Sequence, residues 1–127
     1  MPGEVAFDYA AVRVVPHVER AEFINAGVIV SAPARRFLGC ALRLDTGRLA
    51  ALAPDADAAA IARHLEALRA VCAGDPAAGA VALLDQRARF HWLVAPRSTV
   101  IQTSPVHAGL CDDPEAALAR LLQSLVP

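Results

Sequence analysis

The sequence predicts an α+β domain: a three-stranded antiparallel meander packed against helices and closed by a C-terminal helix. Three observations carry this prediction. Residues 5–45 hold three β-rich runs joined by short connections, and short connections make consecutive strands neighbours. Residues 55–73 then place apolar side chains at helical spacing. Near the end, Asp113–Pro114–Glu115 precedes a leucine stripe, which is how a helix start reads. At 127 residues the chain is expected to form a single domain, 1–127, long enough to bury a core without disulfide or metal.

The first strand, "VAFDYAAVRVV" (5–15), stops at Pro16, which lacks the N–H that a central strand needs. "HVERAE" is a polar connection. In residues 23–31, Ile24, Ala26, Val28 and Val30 point one way. Phe23, Asn25, Gly27, Ile29 and Ser31 point the other. After the "APAR" turn, residues 36–45 set Leu38, Cys40, Leu42 and Leu44 against Phe37, Gly39, Ala41 and Arg43. Parity thus gives one greasy face, joined by Val12 and Val14, which is expected to take the helices. Tyr9, Arg13, Asn25, Gly27, Ser31 and Arg43 fall on a mixed face. Asn and Gly are poor strand residues. "NAG" inside a strand is read first as a bulge or a close backbone approach, and second as a ligand contact.

The middle of the chain is helical. Residues 47–53 fit a short helical turn. In the helix over 55–73, Asp55 is the N-cap candidate and Gly74 the terminator. Ile61, Leu65, Leu68 and Cys72 form its apolar stripe. Arg63, Glu66 and Arg69 lie away from it and can pair at i,i+3, and His64 beside them faces solvent. "GDPAAG" breaks the chain, with Asp75–Pro76 a further candidate helix start. Residues 85–94 lack strand alternation; Leu84, Ala88, His91 and Trp92 fit a helix ended by Pro96. "STVIQTS" is a short strand interrupted by Pro105, and "VHAGLC" a second extended piece. Leu118, Leu121, Leu122 and Leu125 stripe the last helix.

Composition narrows the function. All 12 basic residues are Arg, which fits codon bias in a GC-rich bacterial genome, and the net charge of −1 argues against a dedicated nucleic-acid binder. No apolar run has the length of a membrane span, and "MPGEVAFDYA" is not a signal peptide, so a cytoplasmic location is expected. The three Cys (Cys40, Cys72, Cys111) are distant in sequence and imply no pairing. His17, Glu19 and Glu22 match no established metal-site spacing, and neither CxxC nor a Cys/His cluster is present, so no metal is expected. Phosphate-binding glycine motifs are missing too, and no cofactor is expected. Ser98, Thr99 or Ser104 with His107 or His91 as base would make a covalent mechanism, but no nucleophile elbow accompanies them.

The densest polar chemistry lies in "RFHWLVAPRSTVIQTSPVHAGL" (89–110). Arg97, Ser98, Thr99, Gln102, Thr103, Ser104 and His107 fall within eleven positions, flanked by prolines. The ordinary reading is structural: hydroxyls after a helix satisfy backbone groups, and an edge Gln faces water. The sharper reading is a polar pocket, with Arg97 for an anion, His107 for proton transfer and Trp92 as a wall.

This stretch, together with "VRVVPHVERAEFINAGVIV" (12–30), resembles the bacterial domain of unknown function 3037. The shared pattern falls on Arg13, Pro16, Glu22, Phe23, Asn25, Gly27 and Val28, then on Trp92, Arg97, Ser98, Gln102, His107 and Gly109, and spans essentially the whole chain. The resemblance implies that the two stretches meet, so that Arg13 and Asn25 pack near Arg97, Gln102 and His107. It also implies a link to a HipA-like kinase, whose partner or regulator this protein would be. Two functions follow. The first is an interaction or accessory module, regulatory in role, with a kinase-like partner or a second copy of itself, since a three-stranded sheet leaves two edges to cover. The alternative is a small enzyme or ligand-binding protein with a polar pocket around Arg13, Glu22, Asn25, Arg97, Ser98, Gln102 and His107.

Overall fold

A computed structural model describes residues 3–127. The chain runs β1 (Val5–Val14), β2 (Ile24–Ala32), β3 (Phe37–Leu42), α1 (Thr46–Leu52), α2 (Ala58–Ala73), α3 (Gln86–Leu93), β4 (Ile101–Thr103), β5 (His107–Cys111) and α4 (Pro114–Leu125). Short 3-10 turns fill the connections at Val18–Arg20, Pro33–Arg35, Pro76–Ala78 and Ala80–Leu83. The predicted meander is present as β1–β2–β3, all antiparallel.

The sheet does not stop at three strands. Its order is β3-β2-β1-β4, and β5 also pairs with β1. β4 lies along Val12–Val14 and β5 along Val5–Tyr9, so two short strands share the outer edge of β1. They meet at Ser104–Pro105–Val106. Pro105 has no N–H to give the ladder, and Ser104 makes good the break. Its N–H donates to the Ala11 carbonyl at 2.9 Å. Its Oγ accepts from the Ala11 N–H at 2.8 Å and donates to the Pro105 carbonyl at 2.9 Å.

Helices cover both faces of the sheet, which corrects the single greasy face read from parity. Val12 sits opposite Gly27 but Arg13 opposite Asn25, leaving Ala26 as the extra residue of a β-bulge. The bulge reverses parity along β2. Ile24, Ala26 and Ile29 pack with α1, α2 and α3 against Val12 and Val14. Val28, Val30 and Ala32 turn the other way, to α4, with Phe7, Phe37 and Ala41. The C-terminal helix therefore lies partly on residues of the predicted mixed face. The "NAG" question has its ordinary answer: the bulge is there, and a Cβ on Gly27 would lie 2.5 Å from the Ala41 carbonyl oxygen. The Arg43 N–H donates to the carbonyl of the bulged Ala26 at 2.7 Å.

Four aspartates cap the four helices: Asp45, Asp57, Asp85 and Asp113 each accept a backbone N–H of the first turn at 2.8–3.0 Å. The cap of α2 is Asp57 rather than Asp55, so that helix starts later than its composition implied. Gly74 ends it in the left-handed region, at φ 74°. In α3, Phe90 and Leu93 are the buried side chains, while His91 and Trp92 face outward. Arg87 ties α3 to the sheet, with one guanidinium nitrogen 2.7 Å from Asp8 and another 2.9 Å from the Ser31 hydroxyl. Asp8 and Ser31 are cross-strand partners on β1 and β2, so one arginine clamps two strands.

Replacing Ser104 by Ala leaves the buried Ala11 N–H without its side-chain acceptor. Urea unfolding is expected to show a loss of about 1–3 kcal/mol, whereas Ser98→Ala, in the exposed loop, stays within about 0.5 kcal/mol of the parent.

Candidate functional site

A concavity of about 930 Å³ forms an open groove between α2, the Pro76–Ala78 turn, α3 and the loop 95–100. Leu68, Val71, Leu93 and Ile101 form its apolar floor, and Ala67, Ala70, Ala77 and Ala78 make shallow walls. The sequence places it there by a simple rule. The α2 stripe turns inward at Leu68 and Val71, and beside it Ala67 and Ala70 face the groove. The few polar groups sit at the margin: Arg97, Ser98, Thr99, Asp75 and His64.

Trp92 and Arg97 define one rim. Trp92 is 41% exposed. The Arg97 guanidinium lies 4.5 Å from the Trp92 ring centre and donates to the Trp92 carbonyl. The stack holds a cation at the rim with its charge still open to solvent on one side. The loop behind it is braced: the Thr99 hydroxyl donates to the Ile101 carbonyl at 2.8 Å, and the Gln102 amide to the Thr99 carbonyl at 2.9 Å. The Val15 N–H donates to Val100 at 2.7 Å, which fixes the loop to the end of β1.

The polar residues singled out in the sequence do not gather in one pocket. Arg97 and Ser98 line the groove. Asn25, Arg13 and Gln102 form a row across β2, β1 and β4 on the opposite face, beyond the end of α4. There the Asn25 amide donates to the Leu125 carbonyl at 3.2 Å, and the Arg13 guanidinium stacks 4.1 Å over Phe23. Arg43 joins them, donating to the Val126 carbonyl at 2.7 Å, so side-chain donors meet the negative end of α4. His107 shares that face but stacks on Tyr9, at 5.4 Å between centroids. Tyr9 is four residues from Arg13 along β1, about 13 Å away at strand rise. Glu22 is exposed in the connection before β2. The two stretches do meet, as Arg13 pairs with Gln102, yet the sheet itself separates that row from Arg97.

Two features escaped the sequence reading. His64 is solvent-facing as expected, but it also lines the groove. Its position on the wall follows from how α2 and α3 cross, which no spacing reveals. His17 is bonded rather than free: its ring nitrogen lies 3.1 Å from Asp55, which fastens the β1–β2 connection to the loop before α2. As for covalent chemistry, Ser104 is committed to the break in the edge strand. Among the described residues no hydroxyl is hydrogen-bonded to a histidine. Among the same residues no helix is long and apolar enough to cross a membrane.

Fold and site together define an α+β domain built on one antiparallel sheet, with helices on both faces and an open apolar groove on one of them. The chain belongs to the family described as protein of unknown function (DUF3037), which it matches over residues 9–126. Comparison with curated proteins gave no match, nor did comparison with solved structures.

The His17–Asp55 contact gives a titration test. The hydrogen bond from His17, and then Asp55's own backbone N–H, hold the Asp55 carboxyl below its ordinary value of 3.8. A depressed carboxyl stabilises the fold above its unfolded pKa and loses that contribution as pH falls through the folded value. Carbon-detected NMR titration is expected to place the Asp55 midpoint below that of free aspartate. Asp55→Asn should differ from the parent in stability above about pH 4, with the gap closing as the solution is acidified below that range.

Proposed function

We propose that this protein is a binding module that acts by docking a partner protein in the α2–α3 groove. The occupant we assign is an apolar polypeptide segment bearing a carboxylate, which seats on Arg97 while its apolar side chains fill the floor. One observation carries this reading: the Trp92–Arg97 stack stands at the rim of an apolar groove walled by alanines. Trp and Arg are the residues that most often dominate protein interfaces. Alanine walls let a partner helix or strand come close, as in helix-in-groove recognition. The open charge on Arg97 supplies complementarity to an acidic group. A regulatory or accessory role, with a kinase-like partner as the first to test, is consistent with a groove that carries no assembled catalytic group.

A second reading rests on size. A cavity of about 930 Å³ falls in the range of small-molecule sites, which are mostly apolar with a few placed polar groups. An amphipathic carboxylate, its tail on Leu68 and Leu93 and its head on Arg97, would use the same surface.

Selection from a displayed library of random 16-residue peptides (about four helical turns) separates the two. The expected outcome is a family of peptides with apolar residues at helical spacing and an acidic residue at one end. Trp92→Ala should weaken the selected peptide by about 2 kcal/mol, roughly thirtyfold, and Arg97→Glu should abolish the acidic preference. Both variants should unfold in urea close to the parent. Failure to select any groove-dependent peptide, with saturable binding of octanoate that Arg97→Glu removes, would overturn the docking reading in favour of the small ligand.

A further inference from the structure

The sequence implied no pairing among the three cysteines, but the fold sets two of them against each other. Cys40 lies on β3 opposite Ile29, and its side chain turns to the α2 face. Cys72 lies in the last turn of α2, in the same core. All three thiols are free. Cys72 is fully buried, whereas Cys40 is only partly so, on a strand with one edge open. Cys111 belongs to the other core, beneath α4, with the sheet between it and the pair.

The two thiols are not equivalent. Contact with the Cys72 thiol holds the Cys40 thiol below its ordinary range, against the opposing effect of burial, and the Arg69 charge one turn earlier on α2 adds to it. The same contact, together with burial, pushes the Cys72 thiol up. Cys40 is thus the sulfur nearer solvent, and Cys72 lies buried beside it in the same core. A partly exposed thiol with a second thiol beneath it in the same core is the arrangement in which an oxidised cysteine can be resolved to a disulfide.

We propose that Cys40 and Cys72 are a hydroperoxide-sensitive pair, in which Cys40 takes the oxygen and Cys72 resolves it to an intramolecular disulfide. In the first step the Cys40 thiolate attacks one oxygen of hydrogen peroxide. An S–O bond forms, the O–O bond breaks, and the departing oxygen takes up a proton and leaves as water. In the second step the Cys72 sulfur attacks the Cys40 sulfenic acid. An S–S bond forms, the S–O bond breaks, and the Cys72 proton leaves with the hydroxyl as a second water. Two thiols are oxidised and one peroxide is reduced to two waters. The product ties the end of α2 to β3, and α2 is also a wall of the groove.

The test treats the full-length protein with one equivalent of hydrogen peroxide, quenches it by alkylation in denaturant, and maps the peptides by mass spectrometry. The expected product has lost two hydrogens, yields a cross-linked Cys40–Cys72 peptide, and leaves Cys111 alkylated. In Cys72→Ser the resolving sulfur is gone, and dimedone is expected to trap sulfenic acid on Cys40. Equal oxidation of Cys111, or oxidation of Cys40 in the unaltered protein without the Cys40–Cys72 cross-link, would overturn the proposal. Because that readout uses the parent chain, it holds even if the core substitution fails to fold.

Discussion

A single serine side chain lets the edge of this sheet change strands without coming apart. β1 is the strand on which everything else is hung, with β2 along one side and β4 and β5 in succession along the other. The outer partner breaks at Pro105, where a ladder bond is lost. The Ser104 hydroxyl occupies the gap, accepting from Ala11 at 2.8 Å in a buried position. In the interior an N–H without an acceptor carries its full desolvation penalty, so the bond matters more than its small net value in water implies. On one side of this joint the chain runs back through the groove loop to α3. On the other it runs through β5 to α4 on the opposite face. Both layers therefore register on the same point of β1.

The bulge at Ala26 is the second determinant, because it divides the apolar residues between the layers. One extra residue turns Val28 and Val30 away from the face that holds Ile24 and Ala26. Without it, a strict alternation would have stacked all four against α2 and turned Gly27, Ile29 and Ser31 of β2 to α4 instead. Gly27 is required there because the neighbouring strand comes too close for a side chain. The bulge also fixes the polar row of Asn25, Arg13 and Gln102 on the α4 face, where Asn25 and Arg43 meet the last carbonyls of the helix.

The groove follows from what is left over. α2 spends Leu65, Leu68 and Val71 on the core and presents alanines beside them. α3 spends Phe90 and Leu93 in the same way and leaves Trp92 at the surface, held under Arg97. The groove thus presents an apolar floor with one stacked cation at its rim. The Cys40–Cys72 pair lies on the core side of the same helix.

The sequence by itself determined the elements: three β-rich runs, the helical segments, the Asp113 cap, the break at Pro105 and the final helix from Pro114 were legible, whereas the α2 cap read as Asp55 lies at Asp57. Strand alternation, helical spacing and capping act over a few residues, so they are written locally. It also singled out Arg97 and Ser98, which line the groove, and Asn25–Gly27 for a bulge. Only the tertiary structure decided which face each residue takes. One bulged residue reverses parity for the rest of a strand, and although "NAG" marked the bulge, alternation alone carries the faces straight through it. Arg13, Asn25, Gln102 and His107 take the α4 face, whereas Arg97 stands on the groove loop beside α3. His64 met the groove, and Cys40 met Cys72, only when α2 crossed β3 and α3. Contacts between residues far apart in the chain are set by packing, which local spacing does not encode.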